Sequence, residues 1–224
     1  MLLITWRRLP ASRPHAGLQA ADSHWLAHMA AAYRRLAQEP AFLLYAAVLG
    51  LTTATFYTFL AGAPIVLASY GVGPDRMGWY IMAVPLSYIV GNFATSRLIH
   101  RLGERRLMVV GQACSLGAIG VMVALGLAGL KTPLAFALPL MFLGLGHGLL
   151  NPPALAGTVG QVPALAGSAS AVAGLGQQLL GALGGFIVGL LTHDGSVNLG
   201  LLMMGFTLGA ITAQAFLRHH SPAR

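Results

Sequence analysis

Charged side chains are scarce in this sequence, and six segments lack them entirely. Asp, Glu, Lys and Arg together make up 8% of the 224 residues. The six segments are almost wholly apolar, and they span residues 41–67, 78–96, 107–130, 134–151, 169–191 and 198–217. Each is close to the roughly 20 residues that a helix needs to cross a bilayer. Open sheets are excluded there, because lipid offers unpaired backbone groups no partner. The pattern predicts an all-α membrane protein with six transmembrane helices.

Cysteine and nucleophilic motifs are also nearly absent. The one cysteine, Cys114, lies inside the third segment and can form no disulfide within the chain. Ser168 and Ser170 together with His147 are the residue types that an intramembrane serine protease needs. The sequence around these serines is not a nucleophile elbow, however. We therefore predict that the protein is not an enzyme, and that it holds no cofactor and no metal.

The few charges are distributed in a way that indicates orientation. The net charge is +8, which by itself would suit nucleic acid. If the N-terminus is cytoplasmic, however, 11 of the 13 basic residues fall on the cytoplasmic side and only Arg76 and Lys131 fall outside. This is the positive-inside pattern of membrane proteins. We expect a multi-pass inner-membrane protein with both termini in the cytoplasm, bound by lipid and not by nucleic acid.

The N-terminal 40 residues differ from the rest. Residues 1–21 hold three arginines and two prolines and no acid, which predicts an unstructured basic tail. Residues 22–40 follow, where Trp25, Met29, Ala32 and Leu36 recur on one helical face. We interpret this segment as an amphipathic helix at the membrane interface, with an untethered tail as the alternative. Residues 41–217 then form the transmembrane domain, and 218–224 form a cytoplasmic tail.

The joint between the second and third segments carries a recognisable motif. Residues 91–106 read GNFATSRLIHRLGERR, with Gly91 at the end of a span and Gly103 before the next one. The basic residues of the motif are Arg97, Arg101, Arg105 and Arg106. The motif resembles the Gly-x-x-x-Asp-Arg-x-x-Gly-Arg-Arg loop of major facilitator transporters. Thr95 stands where that pattern has an acid, so the resemblance does not extend to the charge of that acid.

Two further stretches resemble the Bcr/CflA drug-resistance branch of these transporters. Residues 56–66 read FYTFLAGAPIV, and residues 162–174 read VPALAGSASAVAG. Both are similar to segments in the C-terminal half of that branch, so the resemblance implies one six-helix half of a major facilitator bundle. It also implies efflux of small amphipathic compounds coupled to proton entry. A second six-helix half, either another copy of the chain or a missing N-terminal half, is then needed. A non-transporting membrane scaffold is the alternative.

Glycine repeats predict where helices approach closely. Gly181, Gly185 and Gly189 recur every fourth residue in the fifth segment, which favours close helix contact. Gln177 and Gln178 continue that face, and they either join helices by hydrogen bonds or contact substrate. In the fourth segment a small-residue stripe contains Gly144, Gly148 and the lone deep ionisable residue, His147. His147 either relays protons or makes a structural hydrogen bond, and Asn151 before Pro152 is predicted to end the helix.

Aromatic and hydroxyl side chains predict a substrate cavity. In the first segment Thr52, Thr55, Phe56 and Phe59 share one helical stripe, while Thr53 and Tyr57 lie on the adjoining one. Rings beside hydroxyls suit flat amphipathic compounds, although core packing explains the same pattern. Tyr88 in the second segment is a weaker candidate of the same kind. The full set predicted to line the cavity is Thr52, Thr55, Phe56, Phe59, Tyr88, His147, Gln177 and Gln178.

Overall fold

The described part of the chain folds into seven α-helices. The structure, a computed structural model, describes residues 25–192 and 195–220, and this part of the chain contains no strand. The helices are α1 (Trp25–Ala37), α2 (Pro40–Ser69), α3 (Pro74–Leu102), α4 (Glu104–Leu127), α5 (Pro133–Gly160), α6 (Ala166–Val188) and α7 (Ser196–His220). A short 3-10 turn, Pro163–Leu165, precedes α6. The predicted tail at 1–21, residues 22–24 and the end of the chain from 221 lie outside the described residues.

Five of these helices have the length and composition of a membrane span. They are α2, α4, α5, α6 and α7. The sixth long helix, α3, has 29 residues and is long enough, but it is less apolar than the others. Ser87, Tyr88 and Asn92 lie in its middle and lower its mean hydropathy. The all-α membrane class is confirmed, and each of the six predicted segments falls on a long helix.

The joint between α3 and α4 is a single residue. Gly103 has a φ of 77°, a left-handed conformation that glycine adopts without the steric cost of a Cβ. Its N–H donates to the carbonyl of Ile99 at 3.0 Å and ends α3, and Glu104 then begins α4. The chain reverses direction here, although α3 and α4 pack chiefly on α5 and little on each other. The glycine of the loop motif therefore has a conformational role.

The packing of the six long helices repeats itself. α2 packs chiefly against α6 and α7, and α5 packs in the same way against α3 and α4. The central helices α2 and α5 also contact each other, as do α4 and α7. Exchanging α2–α4 with α5–α7 leaves this pattern unchanged. Because each unit contains three helices, the second unit starts on the opposite side of the membrane. The bundle thus consists of two inverted repeats.

A polar layer separates two apolar clusters inside the bundle. On α2, α4, α5 and α7 alike, buried polar residues stand between members of one cluster and members of the other. On α5, for example, His147 stands between Leu143 of the first cluster and Leu150 of the second. The layer consists of Thr52, Thr55, Thr58, Gln112, Ser115, His147, Thr207 and Gln214. The polar layer therefore lies inside the bundle, near the middle of the spans.

The structure contradicts the predicted end of the fourth span. α5 continues through Pro152 and Pro153 to Gly160, so Asn151 does not end it, and the predicted connection at 152–168 shrinks to residues 161–165. Tertiary contacts support the extra turns: Gly157 lies against the ring of Tyr45 of α2, and Ala154 is fully buried. A proline weakens a helix through its missing N–H and its ring. Here packing outweighs that local preference.

The close contact between α2 and α6 is made at Gly181, which belongs to the predicted stripe, and at Gly184, which does not. A Cβ on Gly181 would meet the ring of Tyr57, and one on Gly184 would lie 2.8 Å from the carbonyl oxygen of Ala54. A Cβ on Gly185 would meet only Ala61, at an ordinary 3.9 Å. Gly189 follows the last residue of α6, and a Cβ there would meet no other helix within 4 Å among the described residues. The predicted close approach is therefore wrong for Gly185 and Gly189, because the contact follows a spacing of three residues from Gly181.

We expect Gly184→Ala to lower the free energy of unfolding by about 2 kcal/mol, because overpacking against backbone is costly. The neighbouring Gly185→Ala is the matched control, and it should be neutral or slightly stabilising since alanine favours the helix. Thermal unfolding in detergent compares the two variants. Equal melting temperatures would contradict the assigned α2–α6 contact.

The short helix α1 contacts the membrane bundle through its last turn. Leu36 is 1% exposed and packs with Phe42 of α2 and with Val162 and Ala169 near the start of α6. Met29 and Tyr33 are exposed. The C-terminal end of α1 therefore packs beside the α5–α6 connection. The interfacial position of the helix stays a prediction.

Candidate functional site

The side chains predicted to line a cavity separate into two groups. Four are buried inside the bundle with exposed fractions of 0–4%, and these are Thr52, Thr55, Phe59 and His147. The other four reach the surface, and these are Phe56, Tyr88, Gln177 and Gln178. Thr52, Thr55 and Phe59 of the predicted α2 stripe thus point into the core, whereas Phe56 of the same stripe does not. The stripe beside it carries the accessible polar groups.

Two hydrogen bonds join α2 and α6 at this accessible surface. Gln177 donates from Nε2 to Oγ1 of Thr53 at 3.1 Å. One turn further along α2, the hydroxyl of Tyr57 donates to Oε1 of Gln178 at 3.1 Å. We call Thr53, Tyr57, Gln177 and Gln178 the α2–α6 polar surface. Each glutamine uses one polar atom in its bond, so the N–H groups of Gln178 and the carbonyl of Gln177 take no part in these contacts.

Small residues on α6 allow these side chains to meet. Because Gly181 has no side chain, the ring of Tyr57 lies directly against α6. Gly50 on α2 likewise accommodates Leu180. Thr53 and Tyr57 were not among the predicted cavity residues. The sequence signal that identifies Thr53 and Tyr57 is their separation by four residues, on the helical stripe next to Thr52 and Phe56.

The equivalent interface in the other repeat, α3–α5, also carries a polar pair. Asn151 Nδ2 approaches the hydroxyl of Tyr88 at 3.5 Å, and Asn92 Nδ2 donates to the Tyr88 carbonyl at 3.2 Å. The Oδ1 atom of Asn151 is buried and has no hydrogen-bond partner among the described residues. The predicted residue Tyr88 therefore lies at a helix interface together with Asn151, which the sequence predicts to end a helix.

His147 lies in the polar layer and not at an accessible surface. In the same layer the hydroxyls of Thr55 and Thr207 are 3.4 Å apart, and either can donate. Within 25–192 and 195–220, no group is hydrogen-bonded to the His147 ring. The two interpretations of this residue, proton relay and structural contact, both stay predictions. A direct contact between His147 and a substrate at the surface does not fit its burial.

The loop motif combines a backbone contact with exposed arginines. Gly91 lies against the backbone of α5, and the hydroxyl of Thr95 donates to the carbonyl of Gly148 at 3.0 Å. The guanidinium carbon of Arg97 lies 5.1 Å from the centroid of the Phe93 ring, a cation-π contact. The remaining arginines, Arg101, Arg105 and Arg106, are exposed. Their placement suits the phosphate surface of a membrane.

The geometry does not favour a serine nucleophile. Ser170 donates its hydroxyl to the carbonyl of Gly167 in its own helix at 2.9 Å. His147 is buried in the polar layer of the bundle. A nucleophile needs a base within hydrogen-bond reach, and the hydroxyl of Ser170 is bonded to backbone instead.

An apolar groove of about 510 Å³ lies apart from these polar groups, between α4 and α5. Cys114 is in its wall and donates to the carbonyl of Phe142 at 3.2 Å. The lining residues are Ala113, Cys114, Gly117, Ala118, Val121, Leu125, Leu134, Ala135, Leu138, Pro139 and Phe142. None of the predicted cavity residues belongs to this groove.

Comparison with known proteins agrees with this architecture. The sequence profile of the Major Facilitator Superfamily matches residues 1–185. The chain is therefore a member of the Major Facilitator Superfamily, a family of membrane transporters. It is also similar to a protein of Bacillus subtilis (strain 168) named "Uncharacterized transporter YycB", with 27% identity over 161 residues. That match covers 69% of this chain and 39% of the relative, so the chain spans about two-fifths of the relative's length.

Proposed function

We propose that this chain forms one half of a transporter that exports small amphipathic compounds, with export driven by proton entry. The α2–α6 polar surface is the observation that supports this most directly. It places the Tyr57 ring beside amide groups, and Phe56 packs near it with ring centroids 6.1 Å apart. Aromatic faces with a few polar groups suit amphipathic ligands. The stretches at 56–66 and 162–174, which resemble the Bcr/CflA branch, support drug export as the transport activity and proton entry as its driving force.

The proposal assigns the opposite wall of the cavity to a second six-helix half. In this fold alternating access moves one half against the other around a site between them. The two inverted three-helix repeats of α2–α7 support assigning this bundle to one such half. The second half is another copy of this chain or a separate six-helix unit. With only one wall, this chain does not complete a transport cycle.

In this proposal, the ionisable side chains that carry protons belong to the second half. The six apolar segments contain no Asp, Glu, Lys or Arg, the groups that most often carry protons within membranes. The distribution of basic residues supports an inner-membrane orientation in which both termini and the Arg97–Arg106 joint are cytoplasmic. On this orientation α5 ends and α6 begins at the cytoplasmic side, and the α2–α6 polar surface lies near the middle of both helices.

We expect the purified protein to bind amphipathic aromatic compounds and Gln178→Leu to weaken that binding about fivefold, since one neutral hydrogen bond contributes about 1 kcal/mol. Leu179→Ala is the matched control, because Leu179 is exposed on the neighbouring face of α6. Equilibrium dialysis with a panel of neutral and cationic dyes measures the difference. Equal loss in both variants would reject the α2–α6 polar surface as the site.

Transport is tested by expressing the chain alone in an efflux-deficient cell and measuring dye accumulation with chemical crosslinking in parallel. The proposal predicts no efflux from the chain as a monomer. Proton-dependent efflux from a species that crosslinks only as a monomer would contradict the half-transporter assignment. A protein that binds no compound of the panel, and exports none even when a dimer forms, would instead fit the scaffold alternative.

A further inference from the structure

Pro152 removes one hydrogen bond from α5, and another helix replaces it. A proline has no N–H, so residue 152 cannot donate to the carbonyl of Gly148 four residues earlier. Thr95 of α3 supplies the missing donor, with its Oγ1 3.0 Å from that carbonyl oxygen. A hydrogen bond between α3 and α5 thus replaces the hydrogen bond that α5 would otherwise make within itself.

The approach of the two helices makes this bond possible and protects it. A Cβ on Gly91 would lie 2.9 Å from Cα of Gly148, so the two backbones touch at this level. Thr95 is 2% exposed, and water has little access to compete for the carbonyl. A buried carbonyl without a donor is costly. The hydroxyl of Thr95 therefore contributes more here than it would at a surface.

The bond lies at the weakest point of α5. Pro152 and Pro153 are consecutive, and together they leave the carbonyls of Gly148 and Leu149 without helical donors. Helices bend most readily at such positions. The segment beyond, residues 154–160, packs on α2 through Gly157 and Tyr45. Only five residues then separate it from α6, so a bend in α5 displaces the start of α6.

We propose that Thr95 is a latch on a proline hinge in α5. When its hydroxyl is bonded to the carbonyl of Gly148, the hinge is held against α3. When that bond opens, residues 154–160 and the start of α6 swing together relative to α3. The inference stands on the α3–α5 contact alone, and it does not depend on which compound the protein carries.

The test is hydrogen exchange measured by mass spectrometry on the whole chain in lipid nanodiscs. Thr95→Val keeps the shape of the side chain and removes the donor, and we expect exchange in residues 154–160 to rise about threefold, the factor of a typical interhelical hydrogen bond in membranes. Thr95→Ser keeps the donor and should exchange like the native protein. Pro152→Ala restores the N–H, so Thr95→Val should have no effect in that background.

Three results would overturn the latch: unchanged exchange in Thr95→Val, a rise shared equally by all helices, or a rise that persists in the Pro152→Ala background. If Thr95→Val does not fold, hydrogen exchange of the Pro152→Ala variant alone tests the hinge. The restored N–H should then slow exchange in residues 154–160 relative to the native protein. Faster or unchanged exchange in Pro152→Ala would reject the hinge.

Discussion

Gly148→Ala should lower the free energy of unfolding by about 3 kcal/mol, at the upper end of the usual cost of overpacking. A Cβ at this position would contact the carbonyl oxygen of Tyr88, and it would lie 2.8 Å from both the amide nitrogen of Asn92 and Cα of Gly91. All three are backbone atoms of α3. A side chain could rotate away, but a helix backbone moves only if the whole α3–α5 contact separates.

Gly120→Ala is the control for this experiment. Gly120 lies in the interior of α4, and a Cβ there would meet no atom of the described residues within 4 Å. Replacing it should be neutral or stabilise by up to about 1 kcal/mol through helix propensity. Chemical unfolding in mild detergent, followed by tryptophan fluorescence, measures both variants. A cost for Gly148→Ala no larger than that for Gly120→Ala would show that α3 and α5 are not in backbone contact.

Thr95→Asp should also lower the free energy of unfolding by about 3 kcal/mol, the usual cost of a buried charge without a partner. The native hydroxyl donates to the carbonyl of Gly148. An ionised carboxylate only accepts hydrogen bonds, so it would place an acceptor against an acceptor in a buried contact. The loop motif of this chain departs from the major facilitator pattern at this residue, where the Thr95 hydroxyl acts as a donor.

Ser96→Asp provides the matched control, because Ser96 is the next residue along α3 and is exposed. The same charge placed there should change stability by less than about 0.5 kcal/mol. Thr95→Ser retains the donor and should stay close to the native protein. Thermal unfolding of the three variants in one detergent tests the prediction. If Thr95→Asp and Ser96→Asp unfold at the same temperature, the buried hydrogen bond is not important for stability.

The six apolar segments were predictable because a bilayer imposes length and composition on each span independently of the others. The loop motif was predictable for a similar reason, since Gly91 and Gly103 have local geometric roles that a short sequence pattern preserves. Even the membership in the superfamily follows from such local patterns. Helix ends were less predictable. Asn151 and Pro152 look like a boundary in isolation, whereas contacts with α2 and α3 carry α5 on to Gly160.

The sequence by itself therefore determined that this is a helical membrane protein, where its spans lie and which family it resembles. Only the tertiary structure decided which face of each helix is buried. In α2 the stripe of Thr52 and Thr55 enters the core, while Thr53 and Tyr57 one position further meet the glutamines of α6. Hydrophobic periodicity cannot distinguish these faces, because a span is apolar all round and both lipid and protein accept apolar side chains. Packing against neighbouring helices decides which face is buried. It also decides that Gly184, and not Gly185, is in close contact with α2.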